Sequence, residues 1–353
     1  MLAGFFYIGL VRLITPSTRK LAQMAAVPTV DISPFTAPAE YDDAARRAVG
    51  QEWDAAMTNV GFAMIVGHGV DPGTVDALRR GAHSFFGGPA ETKNTFNYGP
   101  YGHPLGGFTG MGVEAVARSR DDHGSDGGAQ TTAALPDLVE SFVFKPKETT
   151  KPKPLSLDEP GKAYHTALLK VLNALHRVTA SALDLNEGFF EPYYGPTAGC
   201  SLKLAYYPPL ERAQQASSAV RYGAHTDYTG YTILCQDAAD VGDLDAGGLQ
   251  VLLKSGAWAA VTPQANAFVV NIGDLYEVWT NGRWRSTVHR VLKPPIDSAA
   301  ALRPRLSIPF FTGPRNDAVI TCLPTCVSAD TPAKYAPIQA GEHLLRKLGI
   351  SNV

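Results

Sequence analysis

Hydrophobic and polar positions along the chain alternate between strand and helix periods in the first half and settle into strand periods in the second. "VPTVDIS" (Val27 to Ser33) alternates as a strand does, and "YDDAARRAVGQEWDAAMTNV" then carries helical apolar spacing. "GFAMIVGHGV" reads as a buried strand entering a glycine-rich turn. "DPGTVDALRRGAHSFF" has a proline near its start and helical spacing after it. From Gly161 to Leu185 the apolar residues Leu168, Leu169, Leu172, Leu175, Val178 and Leu183 predict the longest helix of the chain.

From about Cys200 the texture becomes strand-like. "LKLAYY", "RYGAH", "YTILCQ", "LQVLL", "WAAV", "FVVNI", "RSTVHRV" and "RLSIPFF" follow one another, separated by turn signals. So many short strands in one stretch predict a mainly β fold with flanking helices. Its core would be a double-stranded β-helix (jelly roll), with the helical N-terminal region packed on one sheet. The expected division is a tail over residues 1–26, a helix-rich region over 27–199, a jelly-roll core over 200–312 and a helical extension over 313–353. "LYEVWTNG" reads as a short helix capped by Asp274, with Asp274 and Asn271 in structural roles. The stretch from Asp121 to Asp137 is small and polar and predicts a mobile loop.

Composition narrows the function classes. The chain has 353 residues, 45% hydrophobic and 18% charged, with a net charge of −2, so no basic field favours nucleic acid. The four cysteines form no CxxC pair, which points to reduced thiols rather than a disulfide framework or a zinc site. Residues 1–26 carry no Asp or Glu, and Arg12 interrupts their apolar run, which is too short to span a bilayer. They read as a disordered tail or a transit peptide. The expectation is a cytoplasmic location, or a mitochondrial or other organellar one if the tail is a transit peptide, without stable membrane insertion.

The candidate chemistry starts in "RYGAHTDYTGYTILCQD". His225 and Asp227 are two apart on an extended segment, so they project to one face. Such a pair suits half a metal site, two members of a catalytic relay or a polar strand end. A third partner is His289, in the late strand-like run "NGRWRSTVHRV", which a jelly roll would bring opposite. Two imidazoles and one carboxylate leave coordination positions open, as non-haem Fe(II) needs when it takes O2 and an organic chelate. The H-E-x-x-H of helical zinc hydrolases is absent. Arg305 and Ser307 in "RPRLSIPFF" share a strand face, where a guanidinium fork and a hydroxyl match a carboxylate.

In this order the motifs resemble the Fe(II)- and 2-oxoglutarate-dependent dioxygenases, in the isopenicillin N synthase-like branch. The resemblance runs from "VPTVDIS" to "IPFF" through "LVESFVF", "LAYYPP", "GGLQVL" and "FVVNIGDLYEVWTNGRWRSTVHRV". It implies that His225, Asp227 and His289 bind iron, and that Arg305, Ser307 and Tyr207 bind the distal carboxylate of 2-oxoglutarate. Tyr207 matches the tyrosine of an Asn-x-Tyr element whose asparagine is Ala205 here. The segment "RVLKPPIDSAAALRP" departs by its length, which implies a longer loop between the last two strands.

The implied reaction is oxidation of a small organic substrate by hydroxylation, desaturation or cyclisation, with O2 and 2-oxoglutarate as cosubstrates, release of succinate and CO2, and ascorbate as a stimulant. Tyr228, Phe310 and Phe311 are the expected pocket walls, with the loop from Asp121 to Ala134 and the C-terminal helix as lids. The expected protein is a monomer. The alternatives are a 2-oxoacid-independent Fe(II) oxidase of the isopenicillin N synthase type, or a metal- or small-molecule-binding protein without turnover.

Overall fold

The computed structural model describes residues 27–99, 106–117, 135–195, 198–217, 220–237 and 248–351. The tail over 1–26 and the loop from Asp121 to Ala134 lie outside these residues. The strands of the two main sheets are β1 (Thr29–Asp31), β2 (Phe62–Val66), β3 (Gly107–Thr109), β4 (Glu140–Phe144), β5 (Ser201–Tyr207), β6 (Tyr222–His225), β7 (Tyr231–Cys235), β8 (Gly248–Leu252), β9 (Trp258–Ala260), β10 (Phe268–Ile272), β11 (His289–Leu292) and β12 (Arg305–Phe311). The principal helices are α1 (Asp43–Asn59), α2 (Pro72–Phe86), α3 (Leu155–Ala182), α4 (Asp274–Trp279) and α5 (Ala340–Ser351).

Each early helix forms where the sequence caps it. Asp42 accepts from the Ala45 amide at the start of α1, and Asp71 accepts from the Thr74 amide at the start of α2, with Pro72 in its first position. Val49, Trp53, Ala56 and Met57 then line one stripe of α1, and Val75, Leu78, Ala82 and Phe85 one stripe of α2. Both helices pack on α3, which runs for 28 residues.

Among the described residues an eight-stranded sheet has the order β1-β2-β10-β7-β12-β5-β4-β3, and a four-stranded sheet the order β6-β11-β8-β9. Apart from the parallel β1–β2 pair, the pairings are antiparallel. The first half of the chain therefore does more than buttress one sheet: it also supplies β1 to β4 of the large one. Strand alternation sorts the large sheet into two faces. Ala63, Ile65, Leu202, Leu204, Leu306, Ile308 and Phe310 join the helix-side core. Phe62, Met64 and Val269 meet Leu249 and Val251 of the small sheet, while Ala205 and Tyr207 meet Val291. Lys203, Arg305, Ser307 and Phe311 have this second, inter-sheet parity.

The helix predicted after "NIGD" is α4, but its N-cap is Gly273, without a side-chain cap. Asp274 is the first helical residue, and its carboxylate is committed elsewhere. Oδ1 accepts from Ser286 Oγ at 2.7 Å, and Oδ2 lies 3.2 Å from His343 Nε2 and 3.3 Å from Lys347 Nζ. Both of those residues belong to α5, so Asp274 anchors the C-terminal helix. All four thiols are unpaired, and among the described residues no helix is long and apolar enough to cross a membrane.

Candidate functional site

β6 ends at His225, β11 begins at His289, and antiparallel pairing places the two residues in register. Register partners project to the same face, and the two ring centroids stand 4.2 Å apart. Asp227 follows in the connection that carries the chain from the small sheet to β7 of the large one. All three side chains are buried, and one ligand atom from each lies within 4.8 Å of the others. No other cluster of this kind occurs among the described residues.

The surroundings fix which atoms face the centre. His225 Nδ1 lies 2.8 Å from the Gly223 carbonyl oxygen, and His289 Nδ1 lies 3.0 Å from that of Thr287. A carbonyl only accepts, so each Nδ1 carries the proton and each Nε2 keeps its lone pair. The two Nε2 atoms stand 3.6 and 3.8 Å from Asp227 Oδ1, too far for hydrogen bonds. Two ligand bonds of ~2.1 Å to a shared ion span such gaps.

Asp227 Oδ2 is already engaged. Thr232 Oγ1 donates to it at 2.5 Å and Asn271 Nδ2 at 2.6 Å. Thr232 and Asn271 are themselves register partners on β7 and β10. The carboxylate therefore offers one oxygen to the centre. Sequence reasoning gave Asn271 only a structural role and passed over Thr232. The available signal was a polar residue in each of two otherwise apolar strands, "YTILC" and "FVVNI".

Electrostatics fit a cation. Burial opposes ionisation of Asp227, but His289, His225 and the Thr232 hydrogen bond outweigh it and hold the carboxyl well below its usual range. Burial, reinforced by His225, pushes His289 down to about 4, so its imidazole is neutral at neutral pH. Two imidazole nitrogens and one carboxylate on one side of an ion are the donor set of a non-haem Fe(II) site.

Arg305 and Ser307 are brought together with Tyr207 and Ala205 by the β12–β5 register, Arg305 opposite Tyr207 and Ser307 opposite Ala205. The Arg305 guanidinium lies 5.6 Å from the Tyr207 ring centroid, and the fully buried Arg221 lies 5.4 Å from the same ring. Burial pushes the Tyr207 phenol up to about 12 against the pull of both arginines, so it stays a neutral donor. Gly248, with φ of +114°, lets the backbone pass Arg305: a Cβ there would sit 3.3 Å from its Nη2. Ala205 sits with Val139, Tyr207 and Val291 in a small apolar cluster.

A cavity of about 870 Å³ reaches His225 and Asp227 and is walled by Tyr228, Phe311, Leu169, Leu172, Leu344 and Leu348. Tyr228 and Phe311, two of the three expected pocket residues, line this cavity. Phe310 does not: it is fully buried on the helix side of β12, packed on the His165 ring at 5.1 Å. Neighbours on a strand point to opposite faces, so Phe310 and Phe311 cannot both wall one pocket. Helix α5 contributes Leu344 and Leu348 to the wall, whereas Arg305, Ser307 and Tyr207 do not line the cavity.

Residues 198–314 match the model of the 2OG-Fe(II) oxygenase superfamily, and residues 27–163 that of the non-haem dioxygenase in morphine synthesis N-terminal region. The 2-oxoglutarate-Fe(II) type oxidoreductase ppzC of Metarhizium rileyi is 31% identical over 346 residues, covering 92% of this chain and 87% of the relative. The crystal structure of a full-length Neurospora crassa protein in complex with alpha-KG superposes with a TM-score of 0.76 at 25% identity, covering 92% of this chain and 96% of that one. JOX2 in complex with 2OG, Fe and JA superposes with a TM-score of 0.70 at 27% identity, covering 92% and 85%.

Proposed function

Given that the chain belongs to the 2OG-Fe(II) oxygenase superfamily, and is an Fe(II)- and 2-oxoglutarate-dependent dioxygenase, we propose that His225, Asp227 and His289 hold the iron and that Arg305, Ser307 and Tyr207 bind 2-oxoglutarate. The observation that carries the first assignment is the pre-set donor geometry. Both Nδ1 atoms and Asp227 Oδ2 are spent on protein partners, which leaves Nε2, Nε2 and Oδ1 facing one point.

When bound there, Fe(II) supplies O2 activation coupled to decarboxylation of 2-oxoglutarate, giving succinate, CO2 and an oxidised substrate. The protein's own part is to bind, orient and exclude water. Arg305 offers a planar two-pronged donor to the distal carboxylate of 2-oxoglutarate, with Ser307 and the neutral Tyr207 phenol as further donors. Thr232 and Asn271 keep Asp227 turned to the metal. Tyr228, Phe311 and the leucines of α3 and α5 form a largely apolar wall for the substrate body beside the metal centre. The substrate is a small organic molecule with an apolar body. The four unpaired thiols support a reducing compartment.

The test is an anaerobic titration with Fe(II) and then 2-oxoglutarate, following the weak visible band of the chelate, with succinate release measured afterwards in air. Asp227→Ala is expected to lose iron binding and turnover, while Thr226→Ala keeps both. Equal iron affinity in Asp227→Ala and wild type would remove the triad assignment.

A further inference from the structure

The cavity holds a second polar constellation. Alternation along β5 turns Lys203 to the inter-sheet side with Ala205 and Tyr207. Its Nζ lies 2.5 Å from Glu114 Oε2, and the same oxygen accepts from Tyr222 OH at 3.1 Å. Ser141 Oγ donates to Glu114 Oε1 at 2.6 Å. Lys203 is 9% exposed and Glu114 8%, and both line the cavity together with Tyr222. The Tyr222 ring meets the His225 ring edge-on at 5.1 Å, so this ion pair stands one aromatic ring away from a metal ligand.

An ion pair this far from water gains little net stability, because desolvation of both charges offsets their attraction. Burial works against the Glu114 charge, but Lys203 outweighs it and keeps the carboxyl below its usual range. A persistent charge pair in the wall of a reaction chamber points to recognition.

We propose that the Glu114–Lys203 pair orients the substrate, and that it selects an uncharged molecule bearing a hydrogen-bond-accepting oxygen over a carboxylate. This rests on the reading of the metal centre given above. An ammonium has three N–H donors. Glu114 and the Tyr222 hydroxyl, at 2.5 and 3.3 Å, engage two of them, which leaves one for a ligand oxygen. Glu114 already balances the Lys203 charge. An entering carboxylate would therefore lose its water without finding net positive charge, and would lie beside a second carboxylate. A carbonyl, amide or hydroxyl oxygen meets neither penalty. Apart from the buried Asp227, which the reading above assigns to the metal, the cavity's other charges, Lys145, Lys147 and Glu148, are half-buried or exposed, so water screens them. Leu169, Leu172, Leu344 and Leu348 take the apolar body.

The test uses the anaerobic holoprotein with Fe(II) and 2-oxoglutarate, and two probes of one skeleton, 4-phenylbutanamide and 4-phenylbutanoate, read by calorimetry. Wild type is expected to bind the amide at least about tenfold tighter than the acid. Glu114→Gln leaves Lys203 uncompensated and should strengthen acid binding by about tenfold or more, with the amide little changed. Lys203→Met should weaken amide binding by about tenfold. If either single variant fails to fold, the uncharged pair Glu114→Gln/Lys203→Met must show that same loss for the amide. Unaltered acid affinity in Glu114→Gln, unaltered amide affinity on loss of Lys203, a wild type that prefers the acid, or one that binds neither probe overturns the inference. The visible band is recorded first on the same wild-type sample. Its absence counts against the metal centre, whereas a formed band with the wrong selectivity counts against the Glu114–Lys203 assignment alone.

Discussion

His225 and His289 face each other in register across β6 and β11, and each is held by the carbonyl two residues before it, Gly223 and Thr287 respectively. The same local device is used twice, and both times it frees Nε2 for the centre. The carboxylate between them is held by a different device, side chains from two neighbouring strands of the large sheet.

That difference gives the first prediction. Asn271→Ala removes one of the two donors to Asp227 Oδ2 and leaves the three proposed ligands intact. Fe(II) affinity should fall by roughly 10–100-fold, as for other residues that orient a metal ligand. Anaerobic Fe(II) titration checks this, and an unchanged dissociation constant would return Asn271 to a purely structural role.

Acid sensitivity of the metal-free protein is the second. Burial pushes His176 down to about 3 and His289 to about 4, below the ~6.5 of an unfolded imidazole. Between those limits the unfolded chain holds more protons, so stability falls as pH drops from about 6.5 to the folded values. Asp137, pushed up to about 6 mainly by burial, acts in the opposite direction over part of this range. The diagnostic is therefore a difference. His176→Phe, set against the Phe190 and Tyr194 rings, should flatten the acid fall of Tm in EDTA relative to wild type.

The proposed contact of Arg305 with 2-oxoglutarate gives the third. Arg305→Ala should raise the KM for 2-oxoglutarate about a hundredfold or more, at about 1.4 kcal/mol per tenfold, while iron binding survives. Arg305→Lys should recover part of the loss, since an ammonium cannot reproduce the planar fork. Gly248→Ala should raise the same KM without touching any ligand, because φ of +114° strains an alanine and its Cβ would press on Arg305. Steady-state kinetics with 2-oxoglutarate as the varied reactant decides all three. A change confined to the organic substrate would move Arg305 to the substrate side.

The C-terminal helix gives the fourth. Lys347 is fully buried, with its Nζ 3.3 Å from Asp274 Oδ2. Asp274→Asn leaves that ammonium facing a neutral amide, and loss of one partner of a buried pair costs about 3–5 kcal/mol. Thermal unfolding should show a matching drop. Limited proteolysis should cut near α5 first, because its anchor is the part that has gone.

Much of this protein is written in periodicity. The eight strand runs after Cys200 and the long α3 follow from spacing, because a strand or helix dictates which residues share a side; His225-x-Asp227 read as one strand face, but β6 ends at His225 and Asp227 stands in the connection after it. What spacing cannot reveal is which strands become neighbours. Thr232 and Asn271 are 39 positions apart in sequence by their numbers and became one clamp only when β7 and β10 paired. Glu114 reached Lys203 across 89 positions, from the connection between β3 and β4. Phe310 and Phe311 are adjacent and apolar, so composition treats them alike, but strand parity with Arg305 and Ser307 already separates them, Phe311 on that face and Phe310 on the core side. Asp274 read as a helix cap because capping is a local rule, yet its partners His343 and Lys347 arrive from the far end of the chain. The sequence by itself determined the donor types and their parity. The tertiary structure decided the partners, since pairing between strands and docking of helices depend on burial summed over the whole core.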